Sequence, residues 1–226
     1  MNYAMPHISR RMIGSVNIFD ISGDVKKDVS HGVASYLQSY IEECRLKNVL
    51  LNVQNVTAVD DENAHKIMDV LQLPRKRALF VSADDVVKTL LDNAENKPQV
   101  CKTQNEVINY FGQEMVEKEK IIEFEERRSS ARMKTALVAQ LDFVNKNENT
   151  IGSEAIVTNL SETGLFAEYL DLSSSIEVES LDYFKNLTVS IRIKKHDLRG
   201  TVIERQGKIL RIEFSGTQTG IAIQFV

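Results

Sequence analysis

The feature that most constrains the fold of this chain is a change of pattern near its middle. Before about residue 115, short apolar runs alternate with stretches whose apolar residues have helical spacing. After about residue 135, strand-like runs rich in Val, Ile, Leu and Phe follow one another with only turn residues between them. Two such patterns predict an α/β domain followed by an all-β domain. A chain of 226 residues is long enough for both.

The N-terminal half is predicted to form an α/β domain over residues 1–115. Strands are expected at residues 15–21, 49–53, 78–81 and near Val100, with helices at 29–46, 62–71, 85–91 and 105–111. Gly23 and Asp24 are expected to form a turn after the first of these strands. Strands that alternate with helices are typical of a mainly parallel sheet.

A charged segment separates the two halves. Residues 113–128 are dense in Glu, Lys and Arg, and we interpret residues 116–126 as a solvated helical linker. Beyond it, strands are expected at residues 135–144, 154–158, 164–170, 187–193, 198–205, 209–214 and 220–226, with turns marked by Asn147, Gly152, Gly207 and Gly216. Successive short strands without long helices predict a closed β-barrel or a sandwich.

Two short motifs in the second half carry recognition chemistry. Arg128 and Arg132 form an R-x-x-x-R spacing, preceded directly by Arg127. A guanidinium can pair bidentately with a phosphate or with the O6 and N7 atoms of guanine. The alternative is that these arginines form solvated ion pairs with Glu123, Glu125 and Glu126.

The second motif is the N-x-S-x-x-G run from Asn159 to Gly164. The Asn159 amide can pair with a guanine edge, and the Ser161 hydroxyl can donate a hydrogen bond. Gly164 would permit a positive φ angle or a close approach of another backbone. The alternative is a simple hairpin turn, since Asn, Ser and Gly are common in turns.

With both motifs in this order, residues 127–226 resemble the PilZ family. The terminal strand at 220–226 also fits that family, although Gln224 stands where an acidic residue is common. The resemblance implies a six-stranded antiparallel β-barrel that binds cyclic di-GMP. It assigns ligand binding to Arg127, Arg128, Arg132, Asn159, Ser161 and Gly164.

Residues 1–115 resemble a STAS domain, the fold of anti-sigma factor antagonists. In that family an Asp is followed by hydroxyl residues, one of them phosphorylated, and then by Gly. Here Asp60 matches, but Asp61 and Glu62 occupy the hydroxyl positions and Asn63 replaces the Gly. These carboxylates are explained by capping of the next helix, and the alternative is a permanent phospho-mimic. The domain is expected to bind a protein partner or to form a homodimer.

Several classes of function have no support in the sequence. A net charge of −4 argues against a general nucleic-acid binder. No catalytic motif is present, and His7, His31, His65 and His196 lack metal-ligand spacing, so neither an enzyme, a metal site nor a cofactor is expected. Cys44 and Cys101 are interpreted as small core residues.

The location and role follow from these observations. No apolar run resembles a signal peptide or approaches the roughly 18 residues of a membrane span, so a cytoplasmic protein is expected. The leading hypothesis is a cyclic di-GMP receptor that relays the signal to a protein partner through the STAS-like domain. The alternative is a scaffold without ligand binding in a motility, secretion or transcription-control assembly.

Overall fold

The computed structural model describes residues 6–26, 31–82, 84–116, 133–144, 150–169, 188–194, 202–215 and 218–226. The chain divides into two compact units, Met1–Met12 with Val16–Tyr110, and Ile13–Ser15 with Phe111–Val226. Arg127, Arg128 and Arg132 lie outside the described residues, as do residues 117–126 of the predicted linker. No helix in the described part of the chain is long and apolar enough to cross a membrane.

The N-terminal unit is built on a five-stranded sheet in the order β1-β2-β3-β4-β5. The elements in the first half of the chain are β1 (His7–Ile13), β2 (Val16–Val25), α1 (His31–Glu43), β3 (Asn48–Val59), α2 (Asp61–Val70), β4 (Lys76–Phe80), α3 (Asp84–Asp92), β5 (Gln99–Cys101) and α4 (Gln104–Val116). Strands β2 to β5 pair in parallel, each with the next. Two residues join β1 to β2, a connection that only antiparallel neighbours allow. The predicted α/β sheet is therefore confirmed; its assignment to the STAS family stays a prediction.

Both faces of this sheet are buried, as its apolar strands predicted. On one face, Phe19 and Leu51 join a core cluster with Leu37 of α1 and Met68 of α2. On the other face, Leu50 is equally buried. Helix α2 begins as expected, because the Asp60 carboxylate accepts a hydrogen bond of 2.9 Å from the backbone N–H of Asn63.

Four details of this unit differ from the sequence-based expectation. Strand β1 was not predicted, and β3 continues to Val59, beyond the strand expected at residues 49–53. Gly23 and Asp24 lie inside β2 rather than in a turn. The glycine serves a register irregularity in the pairing of β2 with β3, where Gly23 adopts a φ of 88°. Cys101 is buried as predicted, but Cys44 is exposed in the turn that follows α1, so its core assignment was wrong.

The C-terminal unit contains a closed six-stranded barrel in the order β10-β11-β8-β7-β6-β9. The strands are β6 (Met133–Val144), β7 (Thr150–Leu160), β8 (Gly164–Glu168), β9 (Thr188–Lys194), β10 (Val202–Ser215) and β11 (Gln218–Phe225). All six pairings are antiparallel, which confirms the predicted barrel. Its interior is filled by apolar side chains such as Leu141, Phe143, Ile191 and Ile223.

Two glycines of the barrel that were predicted to mark turns lie within strands. Gly207 lies within β10, so residues 202–205 and 209–214, predicted as parts of two strands, belong to one strand. Residues 198–201 of the first predicted strand lie outside the described residues. A Cβ at Gly207 would collide with the Ile223 side chain, so packing explains this glycine. Gly152 likewise lies within β7. The predicted turns at Asn147 and Gly216 lie outside the described residues.

Candidate functional site

The N-x-S-x-x-G run forms the tight connection between β7 and β8. The Ser161 backbone N–H donates a hydrogen bond of 2.8 Å to the Gly164 carbonyl. The Ser161 hydroxyl donates to the same carbonyl at 3.1 Å and accepts a bond of 3.3 Å from the Thr163 N–H. Ser161 therefore fixes the shape of the turn, a role that serine often takes in such connections.

Glycine is required at position 164 because a neighbouring backbone leaves no room for a side chain, and not because of its backbone angles. It lies opposite Gln224 in the pairing of β8 with β11, and a Cβ at this position would overlap the carbonyl oxygen of Ile223. The positive φ angles among described glycines belong to Gly14 and Gly23. Of the two reasons the sequence offered for this glycine, close backbone approach is the correct one.

The turn is also fixed to the last strand of the barrel. The Phe225 N–H donates a hydrogen bond of 2.9 Å to the Thr163 carbonyl. Behind the turn, the buried Thr158 hydroxyl on β7 donates a 2.8 Å bond to the Glu168 carboxylate on β8. These bonds hold the N-x-S-x-x-G turn in a defined position against β11.

A groove of about 250 Å³ opens beside this turn. Asn159, Ser161 and Gly164 all lie on it, so the structure brings the three predicted residues of this motif together. The groove is lined by Asn159, Leu160, Ser161, Thr163, Gly164, Leu165, Phe166, Leu210, Arg211, Ala222, Ile223 and Gln224. The lining residues come from the adjacent strands β7, β8, β11 and β10, and the residues of the β7–β8 connection are polar.

Two lining residues, Leu210 and Arg211, were not predicted from the sequence. Ile209 pairs with Ile223 and Arg211 pairs with Ala222, which leaves Leu210 as an extra residue in a β-bulge. Both Leu210 and Arg211 are exposed. One feature of the sequence is consistent with this bulge. The inward-facing Ile209 and Ile212 are three residues apart, whereas inward-facing residues of a regular strand are two apart.

The start of β6 lies beside the same groove. Met133 pairs with Leu160, and Lys134 pairs with Asn159. Met133 follows Arg132 directly in the sequence, so the R-x-x-x-R segment is covalently joined to the barrel at this point. Within the described ranges, no group of three or more His, Cys, Asp or Glu side chains could hold a metal ion.

Comparisons with known proteins give limited similarity. No protein-family model matches the chain, and no curated protein matches it. The solved structure of the Bacillus subtilis inhibitor of motility (MotI/DgrA) is similar at 13% identity and a TM-score of 0.32, over 45% of this chain and 43% of that one. The PilZ domain with c-di-GMP of YcgR from Escherichia coli is similar at 12% identity and a TM-score of 0.32, over 45% of this chain and 79% of that one.

Proposed function

We propose that this chain is a receptor for cyclic di-GMP and that the ligand binds in the groove between the β7–β8 turn and the β10–β11 edge. The observation that carries the proposal is the position of Asn159, Ser161 and Gly164 on one groove, beside the strand that directly follows Arg132. The two motifs are separated in the sequence, and the pairing of β6 with β7 places their attachment points side by side.

The chemistry of these residues suits a cyclic guanine dinucleotide. Such a ligand carries two negative phosphodiesters and two guanines. The Asn159 amide offers a donor and an acceptor for a guanine edge. Arg128 and Arg132 can pair bidentately with guanine O6 and N7 or with phosphate oxygens, and Arg127 can stack on a purine face or contact a phosphate.

The size of the groove supports a site that the arginine segment completes. Its volume of about 250 Å³ is below the range of roughly 300–1,000 Å³ that is usual for small-molecule sites. A dinucleotide would therefore extend beyond the groove. We propose that Arg127, Arg128 and Arg132 cover the remainder of the ligand. Ordering of a cationic segment on an anionic ligand is a known kind of conformational switch.

Calorimetric titration of the full chain with cyclic di-GMP tests the receptor function. We expect saturable binding by the parent protein and no measurable binding by Arg128→Ala or Arg132→Ala. Arg205→Ala is the matched control, because Arg205 is an exposed arginine on β10 outside the groove. Cyclic di-AMP should bind far more weakly, since adenine lacks the O6 acceptor.

The outcomes of this titration separate the two hypotheses. Absence of heat with the parent protein would contradict the receptor function and favour the scaffold without ligand binding. Binding by Arg128→Ala as tight as by the parent would exclude the R-x-x-x-R segment from the site.

We further propose that binding is relayed to a protein partner through the STAS-like N-terminal domain. The residues between α4 and β6, 117–132, contain both the charged linker and the R-x-x-x-R motif, so a ligand that orders the arginines also restrains the linker. Small-angle scattering of the full chain tests this. The radius of gyration should change on addition of cyclic di-GMP for the parent and stay constant for Arg128→Ala. An unchanged radius in a parent that binds the ligand would contradict the relay.

A further inference from the structure

We infer that the β-bulge of β10 forms a second ligand-contacting wall, in which Arg211 contacts a phosphodiester and Leu210 packs on the face of a guanine. This inference rests on the proposed function, and it assigns ligand contacts to two residues that neither motif contains. We call the pair Leu210 and Arg211 the bulge wall.

The bulge decides the direction in which Arg211 points. With regular pairing after Ile209 and Ile223, Leu210 would lie opposite Ala222 and Arg211 opposite Ile221, whose side chain is in the barrel core. Arg211 would then face inward. The extra residue shifts the register, so that Arg211 pairs with Ala222 on the outer surface and Ile212 takes the inward position.

The bulge also leaves an apolar side chain exposed next to this arginine. The exposed fraction of Leu210 is 59%, which makes it one of a few large hydrophobic residues on the described surface. Leu210 and Arg211 both line the groove that Asn159 and Ser161 also line. An apolar surface beside a cation suits a ligand in which a flat purine adjoins a negative phosphodiester.

The charge of the groove points to the same role for Arg211. Among the described residues that line the groove, Arg211 is the single charged side chain. Arg211 lies on β10, which pairs with β11, whereas Asn159 and Ser161 follow β7 and its connection to β8. A guanidinium at this part of the groove suits a phosphodiester of an anionic ligand.

Titration of full-chain variants with cyclic di-GMP tests the bulge wall. We expect Arg211→Ala to weaken binding roughly ten- to hundredfold, the loss expected for a hydrogen bond to a charged group. Arg211→Glu should abolish binding, Arg211→Lys should retain most of it, and Leu210→Gln should weaken it several-fold. Arg205→Ala, on the same strand but outside the groove, should bind within about twofold of the parent.

A second readout distinguishes a direct contact from a structural role. If Arg211 contacts a phosphodiester, added salt should weaken binding less steeply in Arg211→Ala than in the parent, because one charge contact is missing. A parent that binds while Arg211→Ala and Arg211→Glu bind like Arg205→Ala would overturn the bulge wall and leave the receptor function intact. A parent that does not bind would overturn the receptor function, and the bulge wall with it.

Discussion

Gly164 lies so close to Ile223 that a Cβ on residue 164 would overlap the carbonyl oxygen of residue 223. The two residues belong to the paired strands β8 and β11, and both line the candidate groove. The shape of the groove therefore depends on glycine at position 164 as well as on the polar residues that line it.

Gly164→Ala should destabilise the barrel and disturb the groove. The backbone of β11 must shift to admit the methyl group, and over-packing of this kind costs about 1–3 kcal/mol. Hydrogen exchange followed by mass spectrometry should show faster exchange in peptides that cover β8 and β11.

Gly32→Ala is the matched control for this change. Gly32 lies in α1, and a Cβ there meets no atom within 4 Å. Alanine in a helix is favoured over glycine by about 1 kcal/mol, so exchange in α1 should stay equal or become slower. Unchanged exchange in β8 and β11 of Gly164→Ala would contradict the close approach.

Asn159 and Ser161 should respond differently to replacement by alanine. The Ser161 hydroxyl bonds within the turn, to the Gly164 carbonyl and the Thr163 N–H. Ser161→Ala should therefore lower the free energy of unfolding by about 1 kcal/mol as well as weaken cyclic di-GMP binding. Asn159→Ala should weaken binding with little effect on unfolding, because its proposed partner is the ligand. Paired denaturant and calorimetric titrations check this, and equal loss of stability in both variants would contradict the separation of roles.

A buried ion pair in the N-terminal sheet should be sensitive to loss of its acid. The Arg11 guanidinium is 5% exposed, and it donates to both carboxylate oxygens of Asp20, which also accepts a 2.7 Å bond from the Asn52 amide. Asp20→Asn leaves a buried positive charge without its counter-ion, at a cost of about 3–5 kcal/mol. Denaturant unfolding should show this loss.

The double variant Arg11→Met with Asp20→Asn tests whether the two side chains stabilise the sheet as a pair. Removal of the guanidinium removes the uncompensated charge, so it should recover much of the stability that Asp20→Asn loses. Additive losses in the double variant would show that the two side chains do not stabilise the sheet as a pair.

Cys101 should make the N-terminal unit sensitive to alkali. Burial, with a smaller contribution from Glu106, raises the pKa of this thiol from 9.0 to about 11. The folded state therefore holds the proton more tightly than the unfolded state. The resulting stabilisation is complete below pH 9 and is lost as the pH rises towards 11.

Comparison with Cys101→Ala measures this effect. The difference in unfolding free energy between parent and variant should shrink from pH 8 to pH 11, because other ionising groups are common to both proteins. A constant difference between parent and Cys101→Ala would contradict the raised pKa.

Part of the candidate site could be predicted from the sequence because it is local. Asn159 ends β7 together with Leu160, Ser161 lies in the connection and Gly164 begins β8, so any fold that forms this tight connection keeps the three residues together. The capping of α2 by Asp60 is local in the same way. The bulge wall could not be predicted in this way, because the orientation of the Leu210 and Arg211 side chains depends on how β10 pairs with β11.

The sequence alone determined the kinds of elements and their order, because apolar periodicity over neighbouring residues distinguishes helices from strands. It also predicted an α/β part followed by an all-β part, and left a closed barrel and a sandwich open for the latter. Only the tertiary structure decided why Gly164 and Gly207 are glycines, since the atoms that exclude a side chain belong to Ile223 on another strand. It also decided that Leu210 and Arg211 line the same groove as Asn159 and Ser161. Such contacts join residues far apart in the chain, and a local pattern does not encode their distance.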